Sequence, residues 1–188
     1  AGRELLRWPL GPRLAHLVCK AEVQGLGETG IWLAALLEAR GAPAEDDLHR
    51  QLERQWQASA RHERLSEEVL RPLRKALRQP GERRAEAAGR LIATAFPERI
   101  AQQRPEQPGV YRCADGGEAV LAPGSGLLGQ PWLAIAHWQP GRARQIRAAA
   151  AVSVADLLDG RPAGLAEQRR ASWDAQNDRL QATAGWFV

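Results

Sequence analysis

Two stretches of this chain carry the glycine spacing that cradles phosphates. Gly25-Leu26-Gly27-Glu28-Thr29-Gly30 and Gly124-Ser125-Gly126-Leu127-Leu128-Gly129 both read G-x-G-x-x-G. A working phosphate loop also needs a preceding strand, a lysine for the β- and γ-phosphates and a hydroxyl for Mg²⁺. The first stretch follows a helical pattern, and Ile31-Trp32-Leu33 stand where the lysine and hydroxyl belong. The second leads through Pro131 into a strand pattern, so both read as connections. His16 and Cys19 form an isolated H-x-x-C with no second pair at the spacing of a tetrahedral site, and His49, His62 and His137 are scattered, so no metal is expected. The pairs Asp46-Asp47 and Glu67-Glu68 point in different directions on a helix and read as caps and solvated faces. Ser59, Ser66, Ser125, Ser153 and Ser172 lack a nucleophile-elbow context. No catalytic residue is assigned, and a self-contained small enzyme is not expected.

Arginine is the richer signal. Arg71, Arg74, Lys75 and Arg78 recur every three or four residues and so share one helix face, with Arg83 and Arg84 just beyond. Such a face either tracks phosphates or is a solvated surface paired with Glu63, Glu67 and Glu68. Farther on, Arg142, Arg144 and Arg147 follow Trp138. Alternation along a strand puts Arg142 and Arg144 on one face and Arg147 on the other. Small barrels grip single strands with a basic groove and stacking aromatics, which makes Trp132, Trp138, Trp173 and Trp186 either platforms or core.

The elements that must position these residues change character at Ala95-Phe96-Pro97-Glu98-Arg99-Ile100-Ala101. Before it, apolar residues recur at helical spacing. Leu14, Leu17, Val18 and Ala21 form one stripe behind Pro12, and 28–40 is apolar nearly all round, ended by Gly41 and Pro43. Asp46 or Asp47 caps a helix carrying Leu48, Leu52 and Trp56. Leu65, Val69, Leu73 and Leu77 mark another, in which Pro72 predicts a kink or break, and 82–96 is the last. From Arg104 the period shortens. Strands over 109–113 and 118–121 flank Asp115-Gly116-Gly117, a hairpin signal; further strands cover 132–138 and 142–150. A short helix over 154–158 and a hairpin through 174–177 complete a small barrel of the OB type. The expected fold is thus α+β and multidomain: a helical bundle, then an OB-like antiparallel barrel, joined end to end.

Composition limits the partners. The 188 residues include 24 Arg, 2 Lys and 22 acidic residues, for a net charge of +4. The planar guanidinium pairs with phosphate and stacks on bases, which suits RNA without requiring it. No run approaches the ~18 apolar residues of a membrane span, and no signal pattern opens the chain, so a cytoplasmic protein with no membrane partner is expected. Cys19 and Cys113 lie in different halves and read as reduced thiols.

Several ordered stretches resemble a known family. Leu10-Gly11-Pro12-Arg13-Leu14-Ala15-His16-Leu17, Gly25-Leu26-Gly27-Glu28 and Leu33-Ala34-Ala35-Leu36-Leu37-Glu38 are similar to the post-motor region of bacterial DEAH-type ATP-dependent RNA helicases of the HrpB type. So are Phe96-Pro97-Glu98-Arg99-Ile100-Ala101 with Arg104, then Tyr111-Arg112, Pro131-Trp132-Leu133, Gln145-Ile146-Arg147-Ala148-Ala149 and Trp173-Asp174. The resemblance implies three parts: 1–24 the tail of a winged-helix domain, 25–103 a helical ratchet-like domain, 104–188 an OB-like barrel. It also implies a role in holding single-stranded RNA, or DNA, beside motor domains of the same parent chain. The sequence has no phosphate-loop lysine, no Asp-Glu-x-His and no motor arginine finger, so ATP and Mg²⁺ would belong to those motor domains and no cofactor to this segment. The contacts it implies are Arg112, Trp138, Arg142, Arg144 and Arg147 on the barrel and Arg71, Arg74 and Arg78 on the helices. A second expectation is a protein-interaction scaffold whose arginine faces dock on the motor or on an acidic partner.

Overall fold

Pro12 opens a helix because its missing N–H has no partner to lose at the first helical position. The computed structural model describes residues 2–39, 45–57, 67–141, 143–160, 166–174 and 179–187. A short α1 (Gly2–Leu5) precedes α2 (Pro12–Val23), which buries Leu14, Leu17, Val18 and Ala21 as its spacing predicts. Gly25, at φ +69°, ends that helix, and α3 (Gly27–Glu38) follows, buried over most of its surface. In α4 (Leu48–Gln57) the Asp47 carboxylate accepts the His49 N–H at 3.0 Å, the expected cap. Next comes α5 (Glu67–Ala76), which runs through Pro72 instead of breaking there. Pro72 is exposed, and burial of Leu70 and Leu73 holds the helix across it. The helix stops at Ala76, however, so Arg78 is not on its face.

The helix expected over 82–96 is shorter: a 3-10 turn at Ala85–Ala87, then α6 (Ala88–Ala95). Residues 82–84 are pulled away by the first glycine stretch. The Glu82 N–H donates to the Gly25 carbonyl at 2.8 Å; Thr29 Oγ1 donates to the Glu82 carbonyl at 3.1 Å and accepts the Arg84 N–H at 2.9 Å. A side chain at Gly27 would collide with the Gln79 carbonyl. The glycines of that stretch therefore serve a close backbone crossing.

The second half begins with β1 (Ile100–Gln103), upstream of the boundary that turn chemistry placed at Arg104. It is followed by β2 (Val110–Cys113), β3 (Glu118–Val120), β4 (Trp132–Gln139) and β5 (Arg144–Ala151). These close in the order β1-β2-β3-β5-β4, with β1 pairing back to β4. Every seam is antiparallel except β3–β5, which is parallel. This is the expected OB-like barrel, with β1 as a strand that sequence patterning missed. After it, α7 (Val154–Gly160) leads to β6 (Ala166–Asp174) and β7 (Arg179–Phe187). They form the predicted hairpin, but as a separate two-stranded sheet and not as part of the barrel.

Two hydrophobic clusters explain the assembly. Inside the barrel, Tyr111, Leu133, Ile135 and Ile146 pack with Cys113 and Leu127. Outside it, Ala134, Ala136, Ala148 and Ala150 of β4 and β5 share one core with Leu91 and Ile92 of α6 and with Leu17, Ile31 and Leu33. The barrel and the helices are thus joined through a common core. Gly89 lies against the Ala151 carbonyl, where a Cβ would overlap the oxygen. The Ala149 N–H donates to the Asp46 carbonyl at 2.9 Å, tying the start of α4 to β5. Among the described residues no helix is long and apolar enough to cross a membrane.

Two predictions follow from this packing. Gly89→Ala should cost about 3 kcal/mol, because the added methyl meets backbone that cannot yield; urea unfolding measures it. The second concerns Tyr111, the sole tyrosine. Its hydroxyl donates to the Gln130 carbonyl at 2.8 Å, and burial pushes its pKa from 10.0 to about 12. Between those values the native state holds a proton that the unfolded state has lost, so stability falls as pH rises. Tyrosinate absorbance in the folded chain should appear only near the upper value, with unfolding shifting it down.

Candidate nucleic-acid interface

At the end of α6, Phe96 turns the chain through a 3-10 turn (Pro97–Arg99) into β1. That turn aims Arg99 across the junction of helices and barrel. Its guanidinium lies 4.9 Å from the Phe96 ring centre and 4.6 Å from that of Trp138 on β4, and Nη1 donates to the Ala136 carbonyl at 2.8 Å. From α2, Arg13 stands 5.3 Å from the Phe96 ring and pairs with Glu98. From β5, Arg144 stands 4.6 Å from the Trp138 ring and reaches the Asp115 carboxylate at 2.6 Å. The series Arg13, Phe96, Arg99, Trp138, Arg144, Asp115 is a ladder of guanidinium and aromatic planes. Each such contact is worth roughly 0.5–2 kcal/mol, more where water is excluded.

Local chemistry explains the fit. Asp115 Oδ1 accepts the Gly117 N–H at 2.9 Å, shaping the β2–β3 hairpin turn. A Cβ at Gly117 would sit 2.8 Å from the Arg144 guanidinium, so a side chain there would displace the tip of the arginine from the turn. The hydrogen bond that Arg144 donates to the Asp115 carboxylate holds the guanidinium above its ordinary pKa. Burial opposes ionisation of Glu98, but the hydrogen bond from Arg13 outweighs it and keeps the carboxyl below its usual range. Burial also pushes the Cys113 thiol up to about 11, which leaves it a packed thiol and not a nucleophile.

The pattern repeats in the helical half. Arg74 and Arg83 lie 5.9 and 5.8 Å from the Trp32 ring, and Glu28 accepts from Arg83 at 3.2 Å and from Trp32 Nε1 at 3.3 Å. Arg7 stands 4.9 Å from the Trp8 ring and pairs with the buried Glu22, which also accepts the Arg78 backbone N–H at 2.7 Å.

The predicted site residues therefore separate. Arg74 is turned toward Trp32 and Glu28, and Arg78 pairs with Glu4 at 3.4 Å. Arg71 and Arg112 are exposed and form no ion pair among the described residues. On β2, Arg112 stands between Gln102 and Glu118 in the strand register. Arg144 and Arg147 face different ways, as alternation predicts: Arg144 toward Trp138, Arg147 onto the Gln139 amide at 3.2 Å. Trp138 is half-buried with two guanidiniums over its ring, and Trp132 packs against the helical core. Arg142 and the side chains of Trp173 and Trp186 lie outside the described residues. Sequence reasoning missed Arg99 and Asp115, although the Phe96-Pro97 and Asp-Gly-Gly turns beside them were visible. Among the described residues no group of three or more His, Cys, Asp or Glu could hold a metal ion.

No family model and no curated relative matches this sequence. Solved structures do. The chain is similar to Escherichia coli HrpB, a DExH-box NTPase, with a TM-score of 0.77 and 25% identity over 98% of this chain. A second structure, of the E. coli DEAH/RHA helicase HrpB, gives a TM-score of 0.79 and 24% identity over all of it. The chain spans only 22–23% of the length of those neighbours. The resemblance read from the sequence is thus borne out in structure, at low identity.

Removing the central plane of the ladder tests its worth. Trp138→Leu deletes two cation–π contacts and part of a buried ring, and should cost about 2–4 kcal/mol. Thermal or urea denaturation measures it, and a change below ~0.5 kcal/mol would mean that the ladder carries no stability.

Proposed function

We propose that this chain is a non-motor accessory segment of a DEAH-type ATP-dependent helicase and holds single-stranded RNA. The observation that supports it is the match over the whole chain to E. coli HrpB, a DExH-box NTPase and DEAH/RHA helicase. On this reading ATP and Mg²⁺ are bound by motor domains outside this sequence, and the parent protein works in the cytoplasm. The segment contributes a rigid surface, not bond chemistry. Barrel contacts come from Arg112, Arg142, Arg144 and Arg147, with Trp138 bracing Arg144; helical contacts come from Arg71, Arg74 and Arg78.

The geometry ranks these residues. Arg112 and Arg71 are exposed and form no ion pair among the described residues; Glu118, opposite Arg112 in the strand register, is taken by Arg104. Arg144 reaches a phosphate only in competition with Asp115, and Arg74 and Arg78 in competition with Glu28 and Glu4. Phosphate contacts position without reading sequence, so the grip is weak and indifferent to bases.

Fluorescence anisotropy with a labelled single-stranded RNA, alongside polyglutamate, tests this. RNA should bind with a logarithmic salt slope of about −0.7 per phosphate contact. Arg112→Ala should lower that slope by one contact and weaken binding roughly three- to tenfold, the scale of one charge-assisted bond. Asp115→Asn, which removes the competitor of Arg144, should strengthen binding. Equal affinity for both polymers would favour a scaffold for acidic partners instead, and no RNA binding at low salt would end the reading.

A further inference from the structure

An open cleft of about 410 Å³ lies between α4 and the loop that joins β3 to β4. Arg50 and Arg54 line it from α4, Arg147 from β5, and Gly124, Ser125 and Gly126 from the loop. This loop is the second of the two glycine-spaced stretches. It is not a phosphate loop of the nucleotide-binding kind, but it brings a hydroxyl and an unobstructed backbone to three guanidiniums.

The charges in the cleft are unequally matched. The Glu45 carboxylate takes Arg54 at 2.8 Å, while its backbone carbonyl accepts from the Gln51 side-chain amide. Asp47 spends one oxygen on the α4 cap. The Asp46 carbonyl is bound to β5 through the Ala149 N–H. Arg50 is left with carboxylates only at 3.6 and 3.9 Å, no hydrogen bond among the described residues, and a side chain 60% exposed. Arg147 has no ion pair among the described residues; two of its nitrogens rest on the neutral Gln139 amide. Two guanidiniums from different elements thus face one cleft without a tight counter-charge.

The loop side is complementary. Ser125 Oγ accepts the Leu127 N–H at 3.1 Å, which leaves its own proton free to donate. Gly126 has no side chain where Arg50 lies: a Cβ there would stand 3.0 Å from Nη1. The start of α4 is held to β5, the strand that carries Arg147, by the bridge between Asp47 and Ala149.

We propose that this cleft is a phosphate-binding site, in which Arg50 and Arg147 pair with a phosphate oxygen each and the Ser125 hydroxyl donates to the same group. Its ligand is a phosphodiester of a bound single strand, an assignment that rests on the single-strand reading above. Free polyphosphate shares the chemistry and is separated by the test.

The test uses the 188-residue chain with phenylglyoxal labelling of arginines read by mass spectrometry, beside anisotropy of an Arg50→Gln/Arg147→Gln variant. Oligouridylate and pyrophosphate are the probes. RNA should protect Arg50 and Arg147 from labelling in the unmodified chain, and the double variant should bind RNA roughly tenfold more weakly, with a salt slope reduced by about 1.4, two contacts of single-strand type. Unchanged RNA affinity in the variant, or unprotected Arg50 and Arg147 in bound wild type, overturns the cleft while leaving the single-strand reading standing. If RNA does not bind but pyrophosphate saturably protects both arginines, the single-strand reading fails and the cleft stands as a polyphosphate site. If RNA does not bind and pyrophosphate protects neither arginine, both fall.

Discussion

The seating of α6 on the alanine face of β4 and β5 is the contact on which the rest of this structure depends. Four alanines, Ala134, Ala136, Ala148 and Ala150, present a shallow outer surface, and Gly89 removes the last obstacle to close approach. Larger residues at these positions would push the helix outward, and the chain from Phe96 to Ile100 has too few residues to follow. With α6 in place, Leu91 and Ile92 bury their side chains in the same core as Leu17 and Ile31. Each large aliphatic side chain so buried contributes about 1.5–3 kcal/mol, so the junction is as strongly held as the interior of either part. A barrel that could swing on a linker would not keep Arg99 within reach of both Phe96 and Trp138.

That rigidity decides what becomes of the arginines. A chain with 26 basic and 22 acidic residues could leave its charges as a solvated coat. Here four arginines are drawn into two clusters of tryptophan, guanidinium and carboxylate: Trp138 with Arg99, Arg144 and Asp115, and Trp32 with Arg74, Arg83 and Glu28. The guanidinium suits this use because it is planar and weakly hydrated, stacking with one face while its edge hydrogen-bonds. A lysine has neither property, which gives the near-absence of lysine a structural meaning at these positions. The excess of arginine is therefore a weaker sign of nucleic-acid binding than its count suggests.

Much of the fold was legible because its signals are local. Pro12, Gly25 and the Asp115-Gly116-Gly117 turn mark ends that backbone sterics alone impose, and alternation placed Arg144 and Arg147 on different faces. What escaped was set by distant partners. The strand at Ile100–Gln103 is only four residues long with no apolar–polar alternation to mark it, and exists because β2 and β4 flank it. Pro72 stays inside α5 because Leu70 and Leu73 are buried, a tertiary gain that outweighs a local rule. The run from Arg71 to Arg78 looked like one basic face. Its members separate because Trp32, Glu28 and Glu4 lie far away in sequence and the helix ends at Ala76. Arg50 has Glu45, Asp47 and Glu53 close in sequence, and only the folded distances of 3.6 and 3.9 Å show how loosely it is matched.

Among the described residues, Arg71 on α5, Arg112 on β2 and Arg147 on β5 form no ion pair, and Arg50 on α4 meets carboxylates only at 3.6 and 3.9 Å, so these loosely matched arginines sit on separate elements. Carboxylates elsewhere neutralise most of the charge, so the long-range field is modest for a protein of this pI. Screening in physiological salt acts over about 8 Å, so charges farther apart than that act on a polyanion nearly independently. Such a surface contributes affinity contact by contact and has no steep attraction that would hold a strand permanently in place. Under the function proposed above, that combination suits a strand in motion: a frame stiff enough to keep contacts in register, and contacts weak enough to be broken one at a time.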